Sequence, residues 1–476
     1  MNSLSSPPTS SLSSAAPRQA RLELIEKSYS VFTWLFFSNG VGTVLSNTGP
    51  LLTLLRYGIL LMGVLLISAR WRATLRALAK GWLLWLLVAL MVCSLGWSMT
   101  PSYTMESLRG EVLPMSVFAI YFSSRFNMRE QMRLVAIALG IGAVLSLFYA
   151  LAIPSVGRHV GGTFDGAWKG VYSQKNNFST TMTLTILTYF VLSIVNTKGL
   201  EKRLSQIGLL VSIAMVILST SKSGLLIFIT ILLIVILARL FRWQGRRSVL
   251  VLDLAGLGLL IALSVLSVTW QDIVIGLGKD PTLSARTFIW SGAIDKVMDR
   301  PWLGYGRAAF WVPNSLPARQ VGALVDSGDF VPAHAHNGFI DVAIDLGLIG
   351  FGLFVLGLLA TYFIALRRAY QAKTPEDLWP FAFLTLMVMS NMTETVLMNR
   401  VTLYWLLYMV MFLSVRLWPP RTSLLDAAVE SDFNRRAIES NRDSGIEGFI
   451  AGGSAAGAHS RLPAPSSKLG TFSGRD

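Results

Sequence analysis

"LIGFGLFVLGLLATYFIAL", Leu348 to Leu366, runs for nineteen residues without a charged side chain. At about 1.5 Å per residue, a helix of that length nearly crosses the roughly 30 Å hydrocarbon core of a bilayer. Runs of the same character recur along the chain: Leu51–Ala69, Gly81–Leu95, Thr180–Val195, Leu204–Leu218, Leu225–Leu240, Val249–Val268, Phe381–Met389 and Leu403–Val415. Of the 476 residues, 53% are hydrophobic and only 14% charged, with a mean hydropathy of +0.55. A soluble domain carries about a quarter charged residues. The pattern predicts an all-α, polytopic transmembrane helical bundle.

The net charge of +15 does not imply nucleic acid, because the basic residues cluster in short segments between apolar runs. Short loops rich in Lys and Arg stay on the cytoplasmic side. Arg18, Arg21 and Lys27; Arg70, Arg72, Arg76 and Lys80; Arg125, Arg129 and Arg133; Lys198, Lys202 and Arg203; Arg239, Arg242, Arg246 and Arg247; Arg367, Arg368 and Lys373; and Arg416 and Arg421 all fall where such segments belong. The alternation predicts about 12 membrane helices with both termini inside. Residues 1–28 read as a cytoplasmic tail, since the Ser/Pro-rich start lacks the apolar core of a signal peptide. The first span is expected near Tyr29–Leu45. Residues 29–417 form the membrane domain, and residues 418–476 a mostly disordered tail with a short helix near Leu424–Ile438. Cys93 is the sole cysteine, which excludes an internal disulfide and a cysteine-built metal site.

Three outward segments break the charge pattern. "LSTSKSGLL", Leu218 to Leu226, puts Lys222 at a membrane boundary, either as a snorkelling lysine or as a cation held for phosphate among serines. "GGTFDGAWKGVYSQKNNFST", Gly161 to Thr180, crowds glycines, aromatics and amides before a helix, a mixture that suits sugars. Asn177, Ser179 or Thr180 could cap that helix, but a cap explains only one of the polar residues in Gln174-Lys175-Asn176-Asn177. The large loop, residues 269–335, holds "SARTFIWSGAIDKVMDRPWLGYG", Ser284 to Gly306. Phe288, Ile289, Ala293, Ile294, Val297 and Met298 recur at helical spacing, and Pro301 ends the pattern. Ser284 as N-cap would place Arg286 in the first turn, suited to phosphate or to an ion pair with Asp295 or another acid in the loop.

The loop closes on "VPAHAHNGFIDVAIDLG", Val331 to Gly347, just upstream of the opening run. His334 and His336 stand two apart, followed by Asn337. A pair of imidazoles could ligate a metal if a third ligand such as Asp341 or Asp345 joined it. Alternatively, one imidazole acts as a base at the membrane surface. Asn337 can hold that imidazole or cap the helix from Gly338.

These motifs, in this order over roughly residues 30–417, resemble the O-antigen ligase and polysaccharide polymerase superfamily. His336-Asn337 followed by Gly347-Leu348-Ile349-Gly350 is similar to its periplasmic-loop signature. "STSKSGLL" is similar to its Ser-Arg-Gly turn, and "NMTETVLMNR", Asn391 to Arg400, to its acidic outer tip. The resemblance implies a metal-independent, cofactor-free glycosyltransferase of the bacterial inner membrane, with its site facing the periplasm. The implied donor is a glycan on undecaprenyl pyrophosphate, and the acceptor a glycan or a lipid. His336 is then the catalytic residue, and Arg286 and Lys222 bind pyrophosphate. His334, Asn337, Asp341, Lys175, Asn176 and Glu394 surround the substrate. Lys222 departs from the family's arginine, and Ile349 from a common threonine. "SQKNN" and "HAHNGFID" resemble exopolysaccharide polymerases more than ligases. A polymerase is therefore expected, with a ligase for finished glycan, or a flippase, as alternatives. Membrane lipids and other polysaccharide export proteins are the expected partners.

Overall fold

The computed structural model describes residues 15–41, 49–196, 199–221, 224–225, 228–229, 286–325, 330–371, 374–397 and 403–418. The described elements are helices joined by short turns, with one isolated β-bridge between Arg158 and Trp168. Among the described residues, four helices are long and apolar enough to cross a membrane: α2 (Gly49–Ala69), α7 (Met128–Ala152), α8 (Lys175–Val195) and α12 (Gly338–Gln371). A fifth candidate is the pair α3 (Trp71–Lys80) and α4 (Trp82–Cys93), whose axes meet at 87°. The expected helical membrane protein is borne out. The expected count of about 12 spans is not reached among these residues. Most of the run Leu225–Leu240, the run Val249–Val268, the helix near Leu424–Ile438 and residues 269–285 of the large loop lie outside them.

The first helix, α1, begins at Ala15 and ends at Phe37. Half of it therefore lies in the stretch read as tail. Ser30, Thr33 and Trp34 are buried against the bundle, and Glu26 is held by two arginines. Arg70 Nη2 reaches Glu26 Oε1 at 3.1 Å and Arg125 Nε reaches Oε2 at 2.7 Å. A helix start tied down by ion pairs reads as polar in sequence, because the partners of Glu26 lie 44 and 99 residues away.

The segment Pro101 to Arg125 is one helical rod. It comprises α5 (Pro101–Ser107) and α6 (Leu113–Arg125), with a π turn at Leu108–Val112 between them. Further on lie α9 (Gly199–Leu218), α10 (Arg286–Asp299), α11 (Leu316–Gly322), α13 (Trp379–Thr393) and α14 (Leu403–Leu417). A helix that is apolar all round belongs inside a bundle. α14 is such a helix: every residue from Leu403 to Val415 is buried, and it packs on α6 and α12. α8 is likewise largely enclosed, whereas α2 is nearly all exposed laterally.

α12 is not a straight rod. Gly347 has φ 65° and ψ −172°, which breaks the helix between Leu346 and Leu348. The loop after α10 fills the break. Leu348 N–H donates to the Pro301 carbonyl (2.6 Å) and Ile349 N–H to that of Trp302 (3.3 Å). In return, Tyr305 N–H donates to Ile344 O and Gly306 N–H to Asp345 O, both at 2.9 Å. The amides and carbonyls freed by the break are thus satisfied inside the protein, as a low-dielectric setting requires. A second apolar cluster of Ile289, Ala293, Val297, Tyr305, Phe310, Ala318, Val321, Ala343 and Ile344 clamps α10 and α11 onto the first half of α12.

Candidate functional site

Four helix ends meet at one carboxylate. α13 stops at Thr393, and the Asn391 side-chain oxygen accepts from the backbone N–H groups of Val396 and Leu397. This turns the chain sharply and leaves Glu394, 8% exposed at its side chain, pointing at its neighbours. Glu394 Oε2 lies 3.0 Å from His336 Nδ1. Glu394 Oε1 accepts from Arg286 Nη2 at 2.8 Å and from Asn176 Nδ2 at 2.7 Å. Asn176 in turn accepts from Ser221 Oγ at 3.0 Å. The N-terminal ends of α8, α10 and α12 therefore face one point.

His336 is held in an unusual conformation. Its φ is +52°, in the left-handed region that non-glycine residues rarely adopt. Contacts on both sides fix it. The Trp290 indole N–H donates to the Ala335 carbonyl at 2.8 Å, and Ala335 N–H donates to Asp341 Oδ1 at 3.1 Å. Asn337 Oδ1 accepts from the N–H groups of Phe339 (3.0 Å) and Ile340 (3.4 Å). This is the helix cap expected of Asn337. Backbone strain of this kind costs of order 1–3 kcal/mol and persists only where surroundings over-determine it, commonly at functional sites.

The two imidazoles have different partners. His336 N–H donates to His334 Nδ1 at 3.1 Å, so the proton of His334 sits on Nε2. Burial, then the charge on His336, pulls His334 from the ordinary 6.5 down to about 4, keeping it neutral. An ionised carboxylate can only accept, so His336 presents N–H at Nδ1 to Glu394. Burial pushes the Glu394 carboxyl up. The hydrogen bond from His336, with the charges of His336 and Arg286, outweighs that and holds it below the usual range. The arrangement is a carboxylate-oriented imidazole, the form a general base takes.

Of the residues the sequence singled out, the fold brings His336, His334, Glu394, Arg286 and Asn176 together. Arg286 pairs with Glu394, 108 residues away, rather than with Asp295. Asp341 supports the site from behind: its carboxylate accepts from the Trp311 indole N–H, Ala335 N–H and Thr395 Oγ. Lys175 stands with its ammonium 4.1 Å from the Phe164 ring centroid, and its N–H donates to His159 Nε2. Helix α8 starts at Lys175, so Asn177, Ser179 and Thr180 lie inside it and none is its cap. Lys222 and Ser284 lie outside the described residues.

The third ligand a metal would need is neither Asp341 nor Asp345. Ligand atoms of His334, His336 and Glu394 lie within 4.8 Å of one another, and among the described residues this trio could hold a cation. Arg286 bonds the same carboxylate, and its positive charge opposes a second cation there.

Sequence reasoning passed over a second cluster behind His334. Arg307, 4% exposed, bonds Asp345 at 3.0 Å and Glu111 at 3.4 Å. It lines a cavity of about 320 Å³ that His334 and Asp341 also border. In sequence Arg307 is one of six basic residues in the 269–335 loop, and Glu111 belongs to no motif. Only their meeting, 196 residues apart, marks them.

Residues 207–355 match the model of the O-antigen ligase family. The match takes in Arg286, Arg307, His334, His336 and Asp341 and stops before Glu394. The exopolysaccharide production protein ExoQ of Rhizobium meliloti (strain 1021) is 29% identical over 136 residues, 28% of this chain and 31% of that protein. Proteins of Rickettsia conorii and Rickettsia prowazekii named "putative polysaccharide ligase" are each 29% identical over 79 residues, 17% of this chain and 19% and 20% of theirs. The chain thus spans a third or less of the length of these relatives.

Proposed function

We propose that this protein is an inner-membrane glycosyltransferase acting at the periplasmic face. It transfers a glycan from undecaprenyl pyrophosphate to an acceptor sugar hydroxyl during exopolysaccharide or O-antigen synthesis. The observation that carries this reading is the strained His336, oriented by Glu394 among three helix N-termini and Arg286. His336 Nε2 takes the proton of the acceptor hydroxyl as its oxygen attacks the anomeric carbon. The bond to undecaprenyl pyrophosphate breaks, and the electron pair leaves with the phosphate oxygen. Positive helix ends and Arg286, joined by Lys222, offset the charge that develops there. Attack opposite the leaving group inverts the anomeric configuration. General base catalysis of this type is worth about 10²–10⁴ in rate.

The polymerase reading draws on the likeness to an exopolysaccharide production protein, and the ligase reading on the two relatives named for ligation. Deleting the gene and analysing lipid-linked and surface glycan separates them. A polymerase leaves single repeat units on undecaprenyl pyrophosphate, and a ligase leaves long chains there. Repeat units trapped on the cytoplasmic side would reject both readings in favour of a flippase. Restoration of normal surface glycan by His336→Ala, at equal membrane content, would remove the base.

A further inference from the structure

We infer that the cavity behind His334 binds the acceptor sugar as a neutral, polyhydroxylated ring; this rests on the transferase reading above. The cavity holds about 320 Å³, at the small end of the roughly 300–1,000 Å³ usual for small-molecule sites. Among the described residues its lining includes neither Arg286 nor Glu394. His334 forms part of its wall, and the His334 and His336 rings are 4.2 Å apart between centroids. A ligand seated there touches His334, whose ring stands next to that of His336.

The lining selects the chemistry. Arg56 and Arg307 contribute two positive charges, but Glu106, Glu111, Asp341 and Asp345 contribute four carboxylates. An anionic group is therefore disfavoured. Carboxylates accept hydroxyl hydrogen bonds, and the rings of Tyr103 and Trp311 add faces for sugar C–H groups. Arg307 is buried with its Nε lacking a hydrogen-bond partner, which marks this wall as incompletely satisfied within the protein.

The wall also carries a local irregularity. Ser107 and Glu111, four residues apart, share one face of the rod, and the Ser107 hydroxyl donates to Glu111 Oε2 at 3.2 Å. A π turn spans Leu108–Val112 at this point. Such π turns are frequent at functional sites. Trp311 is fixed by its indole bond to Asp341, which ties the sugar wall to the strand of contacts that shapes His336. Tyr103 and Glu106, exposed at the rim, are placed to decide which sugar is accepted.

The test uses the full-length protein in detergent with methyl glucoside and methyl galactoside as probes, read by saturation-transfer NMR. Wild type should saturate the ring protons of at least one probe. Tyr103→Ala and Glu106→Gln should weaken that binding about tenfold. Equal signals in wild type and both rim variants, or no signal in wild type, overturn the subsite. So does full displacement by inorganic pyrophosphate, which would place the probe on the donor side. The same variants, scored in cells for consumption of lipid-linked glycan, keep the two readings apart. Probe binding as expected without consumption by wild type rejects the transferase and keeps the sugar site. Wild-type consumption by both rim variants rejects the sugar site and keeps the transferase.

Discussion

At His336, chemistry and backbone strain can be separated by substitution. Asparagine tolerates the left-handed region better than most residues and cannot serve as a base. His336→Asn should therefore fold and insert like wild type yet lose about 10²–10⁴ of transfer rate, measured as glycan output per inserted protein. Glu394→Gln keeps the shape but removes the charge that orients the imidazole, and it should also lower activity. Gain of activity in Glu394→Gln on addition of a divalent cation would instead favour the trio as a metal site. His334 supplies a pH dependence. Its folded value, about 4, lies below the ordinary 6.5 because burial disfavours the charged ring. The unfolded chain thus binds the extra proton first, so this stabilisation is complete above pH 6.5 and is lost as pH falls from 6.5 towards 4. The thermal unfolding midpoint of the solubilised protein should drop across that window. His334→Asn should flatten the drop. An unchanged slope would mean that His334 is not held neutral.

At the level of elements, the site depends on how α12 begins and where it breaks. Gly338 has no room for a side chain, since a Cβ there would lie 1.8 Å from Asn391 Oδ1. Gly347 combines a positive φ with an extended ψ, a region essentially reserved for glycine, and its Cβ would meet the Trp302 carbonyl at 2.3 Å. Gly347→Ala should cost on the order of 1–3 kcal/mol from the backbone alone. It should also separate the Pro301–Gly306 turn from α12 and lower both the unfolding midpoint and activity. Gly352→Ala, five residues on in a regular and open stretch, is the control and should be neutral or mildly stabilising. Equal behaviour of the two would mean that the break does not order the site.

For the whole molecule, two charged clusters define two faces. Arg70 and Arg125, which the charge pattern assigned to one side, meet at Glu26. Lys80 caps the chain end of α14 through the Arg416 carbonyl at 2.9 Å. Arg286, His336, Glu394 and Asn176 form the other cluster. The proposed orientation puts the first face inside and the second outside. Gln320, exposed on α11, is a suitable reporter, whereas Gly322 would drive a side chain into the Phe330 carbonyl. In a Cys93→Ser background, Gln320→Cys should react with an impermeant thiol reagent from the periplasmic side. Labelling only after the inner face is opened would reverse the topology and with it the periplasmic site.

The sequence by itself determined the helical membrane class, because burial in lipid demands long uncharged runs and these are local. It also pointed to His336 and to Asn337 as a helix cap, since both readings rest on neighbours in the chain. It named Glu394, Arg286 and Asn176 separately but could not join them, as their contacts span 58 to 218 residues. The break at Gly347 was not legible, because a glycine in an apolar run does not reveal its φ. Arg307, Glu111 and the cavity were hidden for the same reason. Each side chain is ordinary in its own segment, and only packing sets two arginines, four carboxylates and two aromatic rings around one space beside a histidine. Local chemistry is written residue by residue, whereas charge pairing across a bundle depends on distances that the folded chain alone fixes.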